Sequence, residues 1–339
     1  MITIKEMANM LGISTTTVSN VIHGKTTEVS QETIEKVNKL LKEYEYVPNI
    51  SARNLASNES KIVGIGIISK ENNNNYLKDA FVSELVGAIE RELKKQGYVA
   101  MMYFSETAQE LIRTVLSWNV DGMILVGMRK EDCELIQKRY KKPQVFVDSY
   151  LGDMKLCGVN IGLDDRQGGY LMGKHLIEQG HRNILFLADN FYGVDYERYC
   201  GFSAAMAEAG YQVDQNNFFR LGSGEEELER SLAELYNIHE RYTALFVASD
   251  YYALRIMNYL WEKGVKVPRD ISVVGFDDNI YSKMSRPAIT TVHQSPTEKG
   301  EFAVRYLIRL LRGENIVENR IILPVQLAIK DTVKNINGK

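Results

Sequence analysis

The sequence predicts an α/β protein in three parts: a three-helix helix-turn-helix domain, a short polar joint, and a two-lobed region of doubly wound parallel sheets. Three observations carry this. The first 47 residues hold three amphipathic stretches, each opened by a capping hydroxyl. From Ile62 onwards, short apolar strands alternate with amphipathic helices, and that alternation runs through twice, once on either side of "GVNIG". A chain of 339 residues is long enough to support two or three separate cores.

The first helix is announced by Thr3-Ile-Lys-Glu6, which has the spacing of a capping box. Ile4, Met7, Ala8 and Leu11 then recur at i, i+3, i+4 and i+7, and Gly12 supplies a left-handed stop. Ser14 caps the second helix, with Val18, Val21 and Ile22 as its apolar stripe. Ser30 caps the third, in which Ile34, Val37, Leu41 and Tyr44 are expected to face inwards. The second helix stands out because Thr16, Ser19, Asn20 and His23 share the face opposite the valines. A solvated face would be rich in Glu and Lys; short hydroxyls and an amide suit base edges in a major groove. The Gly-containing turn before it is that of a helix-turn-helix. Charge gives little help, since six cations in residues 1–60 meet seven glutamates. Phosphate contacts must then come from hydroxyls, backbone amides and a helix N-terminus, and affinity must lean on dimerisation.

"PNISARNLASNESK", residues 48–61, is polar except for Ile50 and Leu55. Asn49 can cap about two helical turns, too few to be stable alone. Either the segment is a flexible linker, or it folds against a partner helix and DNA and presents Leu55 as a minor-groove wedge.

The strands of the large region are "KIVGIGIIS", "YVAMMYF", "VDGMILVG" and "PQVFVDS", then "NILFLAD", "FFRLG", "TALFVAS" and "ISVVGFD". Val/Ile-rich strands separated by helices such as Ser83–Gln96 make parallel sheets. "ITTVHQ" and "NRIILPVQLAI" are expected to cross between the lobes. The boundaries so read are 1–47, 48–60 and 61–339, with lobe 1 as 61–159 and 290–323 and lobe 2 as 160–289 and 324–339. No enzyme signature is found: the Gly-Ile-Gly at 64–66 lacks a third glycine, and no phosphate loop or nucleophile elbow occurs. His23, His175, His181 and His293 show no ligand spacing. Cys133, Cys157 and Cys200 read as core fillers of a reducing cytoplasm, and no cofactor, metal site or membrane span is expected. A cleft between two lobes is instead a small-molecule trap, with polar residues at its strand ends: Asp148, Asp164, Ser249, Asp250, Asp277 and Asp278. Arg198 follows a loop on the same side.

"TIKEMANMLGISTTTVSNVIHG", "VSQETIEKVNKLLKEYEYVPNISARNLAS", "DISVVGFDD" and "ITTVHQSP" resemble the LacI/GalR family of bacterial transcription repressors, from Thr3 to about Asp331. The resemblance implies a periplasmic-binding-protein-like fold for the two lobes and a homodimer on pseudo-palindromic operator DNA. It implies that Thr15, Thr16 and Asn20 read bases, with Ile4 and His23 on the same DNA-facing side. Ser14, Thr17 and Ser19 would hold phosphates, and Asn49, Ser51, Ala52 and Leu55 would form a minor-groove hinge. Asn20 stands where most members carry arginine, and asparagine suits adenine where arginine suits guanine. In the cleft the resemblance singles out Arg198 and Asp277, then Asp164 and Asp250, with Ser249 replacing a common asparagine. The aromatic start of the first lobe's helix is replaced by "ENNNNYLKDAF", and "RLGSGEEE" lacks a stacking aromatic. Tyr76, Tyr192 and Tyr196 are the candidate substitutes. A carbohydrate is the default effector; a nucleobase or other polar metabolite fits the same scaffold, as inducer or corepressor alike. The rival reading is a solute-binding protein with the same two lobes and no DNA function.

Overall fold

The computed structural model describes residues 2–46, 59–68, 76–152, 154–214 and 217–338; of Tyr76 it describes the backbone. The chain divides into two compact units, residues 1–60 and 61–339, each described by itself.

In the first unit, α1 (Ile4–Leu11), α2 (Thr15–Ile22) and α3 (Gln31–Glu43) enclose Met7, Ala8, Val18, Val21 and Val37. The capping box forms: Glu6 N donates to Thr3 Oγ1 at 3.2 Å, and Thr3 N donates to Glu6 Oε2 at 2.8 Å. Gly12 takes φ 65°, which a side chain would strain. Tyr44 differs from expectation. The third helix ends at Glu43, so Tyr44 becomes its C-cap and is 42% exposed, while Leu40 and Tyr46 pack against the core instead. Glu45 at φ 45° turns the chain so that Tyr46 returns.

The second unit holds two parallel sheets. The first has the order β11-β5-β4-β3-β1-β2, with β1 (Ile62–Ile68), β2 (Val99–Ser105), β3 (Gly122–Val126), β4 (Gln144–Val147), β5 (Val159–Leu163) and β11 (Arg320–Leu323). The Gly-Ile-Gly lies inside β1 and is strand, not a loop. On this sheet pack α4 (Ala80–Lys95), α5 (Ala108–Ser117), α6 (Lys130–Arg139) and α12 (Pro296–Leu311). The second sheet, β7-β6-β8-β9, comprises β6 (Ile184–Ala188), β7 (Phe218–Arg220), β8 (Ala244–Val247) and β9 (Ser272–Val274). Its helices are α7 (Asp165–Glu178), α8 (Gly193–Glu208), α9 (Glu225–Ile238), α10 (Asp250–Glu262) and the short α11 (Ile280–Met284).

One boundary moves. A lobe change between residues 159 and 160 would cut β5, whose residues Val159–Ile161 pair with Val145–Val147 of the first sheet. The chain instead crosses at Asp164, where strand gives way to α7. The expected crossings near the end form an antiparallel ribbon of β10 (Thr291–His293) and β12 (Gln326–Ala328). Beyond it the chain closes on the second lobe, where Ile336 N donates to Gln179 O at 2.8 Å.

Two helices of the second lobe meet at backbone distance. A Cβ on Gly169 of α7 would stand 2.0 Å from Arg198 O, and one on Gly201 of α8 would stand 1.9 Å from Arg166 O. Neither position accepts a side chain without parting the helices.

Candidate nucleic-acid interface and effector cleft

On α2 the valine side is closed and the other side open. Val18 and Val21 are buried, Thr15, Thr16 and His23 are exposed, and Thr17, Ser19 and Asn20 are half-buried. Ser14 accepts from Thr17 N at 3.0 Å, and the two hydroxyls lie 2.9 Å apart. They are thus set side by side at the helix N-terminus, where backbone N–H groups also point outwards and the dipole favours an anion. Ile4 is half-buried and packs on the three-helix core, so it has only an edge to offer a duplex. Asn49, Ser51, Ala52 and Leu55 lie outside the described residues.

In the second unit, the strand ends of both sheets meet around one guanidinium. Arg198, on the first turns of α8, is 6% exposed. Its Nε donates to Asp165 Oδ1 at 2.8 Å and its Nη1 to Ala248 O at 2.7 Å. Asp195 Oδ1 lies 3.6 Å away, and Phe276 lies beneath with its ring centroid 3.7 Å from Cζ. Burial works against the charge on this guanidinium, but Asp165, Asp195 and Asp277 outweigh it and raise its pKa. The carboxyls respond the other way, because low-dielectric surroundings disfavour their ionised forms. Burial raises Asp165 despite Arg198, takes Asp195 to about 7 and Asp250 to about 6, and pushes Asp277 well above the usual range.

The residues singled out from sequence take different places. Asp277 sits at φ 125° and feels the charge of Arg198; its Oδ1 accepts from Gln294 Nε2 at 2.6 Å. Asp250 is fully buried and committed to structure. It accepts from Thr291 Oγ1 at 2.7 Å and from Asn279 N at 3.0 Å, and thereby holds the loop that carries Asp277. Ser249 caps α10 through Tyr252 N at 3.4 Å. Asp164 is exposed and caps α7 through Gln167 N at 3.0 Å, so it is the next residue, Asp165, that meets Arg198. Asp278 turns away to the crossing ribbon, accepting from Lys330 Nζ at 2.7 Å and His293 Nδ1 at 2.9 Å. Asp148, at φ 49°, is bound by the buried Lys299. Tyr192 stacks under Arg129 at 4.5 Å, and Tyr196 packs edge-on against Phe191 at 5.1 Å. The side chain of Tyr76 lies outside the described residues.

Sequence reasoning missed Asp165, Asp195, Gln294 and Lys299. Only Lys299 left a visible trace, as a charge on the apolar stripe Pro296, Gly300, Ala303, Val304 and Leu307 of α12. The lobes are also bridged at their lips. Arg129 Nη2 donates to Tyr192 Oη at 2.9 Å, Tyr150 Oη to Glu197 Oε1 at 3.0 Å, and Tyr281 Oη to Lys78 O at 3.1 Å. A groove of about 370 Å³ opens beside Asp148 and Asp165, between β5, β11 and α8. Among the described residues, no group of His, Cys, Asp or Glu could hold a metal ion, and no helix is long and apolar enough to cross a membrane.

Comparison with known proteins agrees with both halves. A model described as "Bacterial regulatory proteins, lacI family" matches residues 3–49, and one described as "Periplasmic binding protein-like domain" matches residues 174–333. The HTH-type transcriptional repressor PurR of Vibrio atlanticus (strain LGP32) is 31% identical over 99% of this chain and 100% of the relative. That of Mannheimia succiniciproducens is likewise 31% identical over 99% of this chain and 100% of its own. A lac repressor dimer bound to operator and the anti-inducer ONPF is similar at TM-score 0.86 and 26% identity, over 98% of this chain and 99% of that one. A transcriptional regulator CelR–cellobiose complex is similar at TM-score 0.73 and 25% identity, over 98% of this chain and 100% of that one.

Proposed function

Since the chain belongs to the lacI family of bacterial transcriptional repressors, which are not enzymes, we propose that it represses as a cytoplasmic homodimer on a pseudo-palindromic operator, under the control of a sugar bound in the cleft. The observation that carries the DNA half is the sidedness of α2: valines buried, Thr15, Thr16 and His23 exposed with Asn20 half-buried among them, and an N-terminus capped by Ser14. Thr15, Thr16 and Asn20 read base edges, while Ser14, Thr17 and Ser19 hold phosphates. Two such helices enter successive major grooves about 34–36 Å apart. Ala52 and Leu55 supply the minor-groove wedge between them, with Asn49 and Ser51 as further DNA contacts of the hinge.

For the cleft, Arg198 and Asp277 are the two groups that meet a polar ligand. They supply a donor and an acceptor within one electrostatically linked buried cluster, as a ring of hydroxyls requires. The similar CelR structure holds cellobiose, which favours a carbohydrate. Bound ligand bridges the lobes, alters their closure and so changes the geometry of the two hinges. Coupling of this kind amounts to about 1–3 kcal/mol.

The test is selection of binding sites from random duplex DNA by the full-length protein, alone and with pooled metabolites. An enriched pseudo-palindrome is the expected result. A protein that ignores every duplex in every condition sinks the DNA reading and leaves a solute trap. A thermal-shift screen of sugars and purines decides the effector class: a sugar must raise Tm, and the rise must vanish in Asp277→Ala.

A further inference from the structure

We propose that Lys299 is a positioning residue of the cleft, locking the side-chain amide of Gln294 so that its NH2 faces Asp277 and favours the ionised, accepting form of that carboxyl. The proposal rests on the effector reading of the cleft and adds a residue that acts through another side chain.

Lys299 is 1% exposed on the inner face of α12. Its ammonium has three donors, and three short contacts use them: Asp148 Oδ1 and Oδ2, each at 2.7 Å, and Gln294 Oε1, also at 2.7 Å. The Phe81 ring, 4.9 Å from Nζ, closes the remaining side. An ammonium can only donate, so whatever part of Gln294 faces it must be the carbonyl oxygen. The orientation of this amide is therefore fixed by chemistry and not by shape. Its nitrogen then falls 2.6 Å from Asp277 Oδ1.

Asp277 needs that donor. Arg198 from α8 favours its ionised form. Burial, Asp250 from the start of α10 and Asp79 from the turn before α4 oppose it. Asn279 Nδ2 reaches the second oxygen only at 3.5 Å. Were the amide reversed, an oxygen would confront an oxygen, and the pair could meet only if Asp277 held a proton. That proton would be committed to Gln294 Oε1, and the carboxyl would lose the charge that strengthens its acceptance of a ligand O–H or N–H. Lys299, one side chain removed, sets that charge.

The test needs no effector, so its failure is distinct from failure of the cleft reading. Full-length protein labelled with [γ-13C]aspartate is titrated by carboxyl NMR, with the Asp277 resonance assigned by its loss in Asp277→Asn. The pair Asp148→Asn/Lys299→Met removes both charges together, so no buried carboxylate is orphaned, and Asn tolerates the left-handed backbone of residue 148. The Asp277 midpoint should rise by about one unit or more, the worth of a lost hydrogen bond to a charged group. Gln294→Met should raise it equally, and adding the pair of changes to Gln294→Met should do nothing further. Lys299→Arg, which keeps donors and charge, should restore the wild-type midpoint. Should the double variant not fold, Asp148→Asn/Lys299→Leu gives the same readout, because it too removes both charges and every donor to Gln294 Oε1. A midpoint unmoved by loss of Lys299, or a rise that persists in the Gln294→Met background, overturns the proposal.

Discussion

Replacing Asp195 by asparagine should stabilise the protein at neutral pH, and by an amount that depends on pH in a set direction. The carboxylate is 13% exposed, accepts from Asn190 Nδ2 at 2.7 Å and lies 3.6 Å from Arg198. Burial raises its pKa to about 7 in the folded protein. In the unfolded chain the value is about 3.9. A carboxyl with a raised folded pKa holds more protons folded than unfolded, so stability falls as pH rises between the two values. The penalty is absent below about pH 4, grows by about 1.4 kcal/mol per unit, and is complete above about pH 7, where its ceiling is about 4 kcal/mol. Asparagine keeps an acceptor for Asn190 and removes the penalty. The gain over wild type should be under about 1 kcal/mol at pH 4.5 and about 2–3 kcal/mol at pH 8, once relaxation of the site is allowed for. Urea unfolding of both proteins at half-unit steps, with equal m-values, measures this directly. A difference that is flat with pH, or that shrinks as pH rises, would show that Asp195 carries no ionisation penalty.

Three further outcomes are expected. Arg198→Met should cost about 3–5 kcal/mol by stranding Asp165. It should also abolish the thermal response to effector while leaving operator affinity within twofold, and Arg198→Met/Asp165→Asn should recover much of the stability but none of the response. Asn20→Arg should move the preferred base pair at one half-site position from A·T to G·C in selected sites, by about 1–3 kcal/mol of discrimination; an unchanged preference refutes the base-reading role of residue 20. With few lysines near α2, operator affinity should fall gently with salt. About two cationic contacts per protomer give a log–log slope near −4 by fluorescence anisotropy, and a slope near −10 would contradict the hydroxyl-and-amide account.

What the sequence conveyed was local, and what it withheld was tertiary. The capping box at Thr3–Glu6, the caps at Ser14 and Ser30 and the valine stripe of α2 depend on residues within one or two turns, and all are present. The strands were legible from Val/Ile runs. The lobe boundary was not, because β5 looks the same whichever sheet it joins; only its pairing with Val145–Val147 decides. The cleft shows the same division. Arg198 and Asp277 came from a resemblance in motif, whereas Asp165, Gln294 and Lys299 derive their roles from partners 33, 17 and 151 residues away. In "LDD" the first aspartate becomes a cap and the second meets the arginine, and one residue of helix register separates those roles. Tyr44 failed for a similar reason. Periodicity continued where the helix had already stopped.

The seam at Gly169 and Gly201 sets a limit on re-engineering this scaffold. Because α7 and α8 touch through their main chains, the crossing point at Asp164, the carboxylate of Asp165 and the guanidinium of Arg198 travel as one casting. Libraries aimed at new ligands can vary the lip residues Arg129, Tyr150 and Tyr192 one at a time. A methyl group at either glycine would instead displace every contact the arginine makes at once, and selection would return a broken sensor where a retuned one was sought.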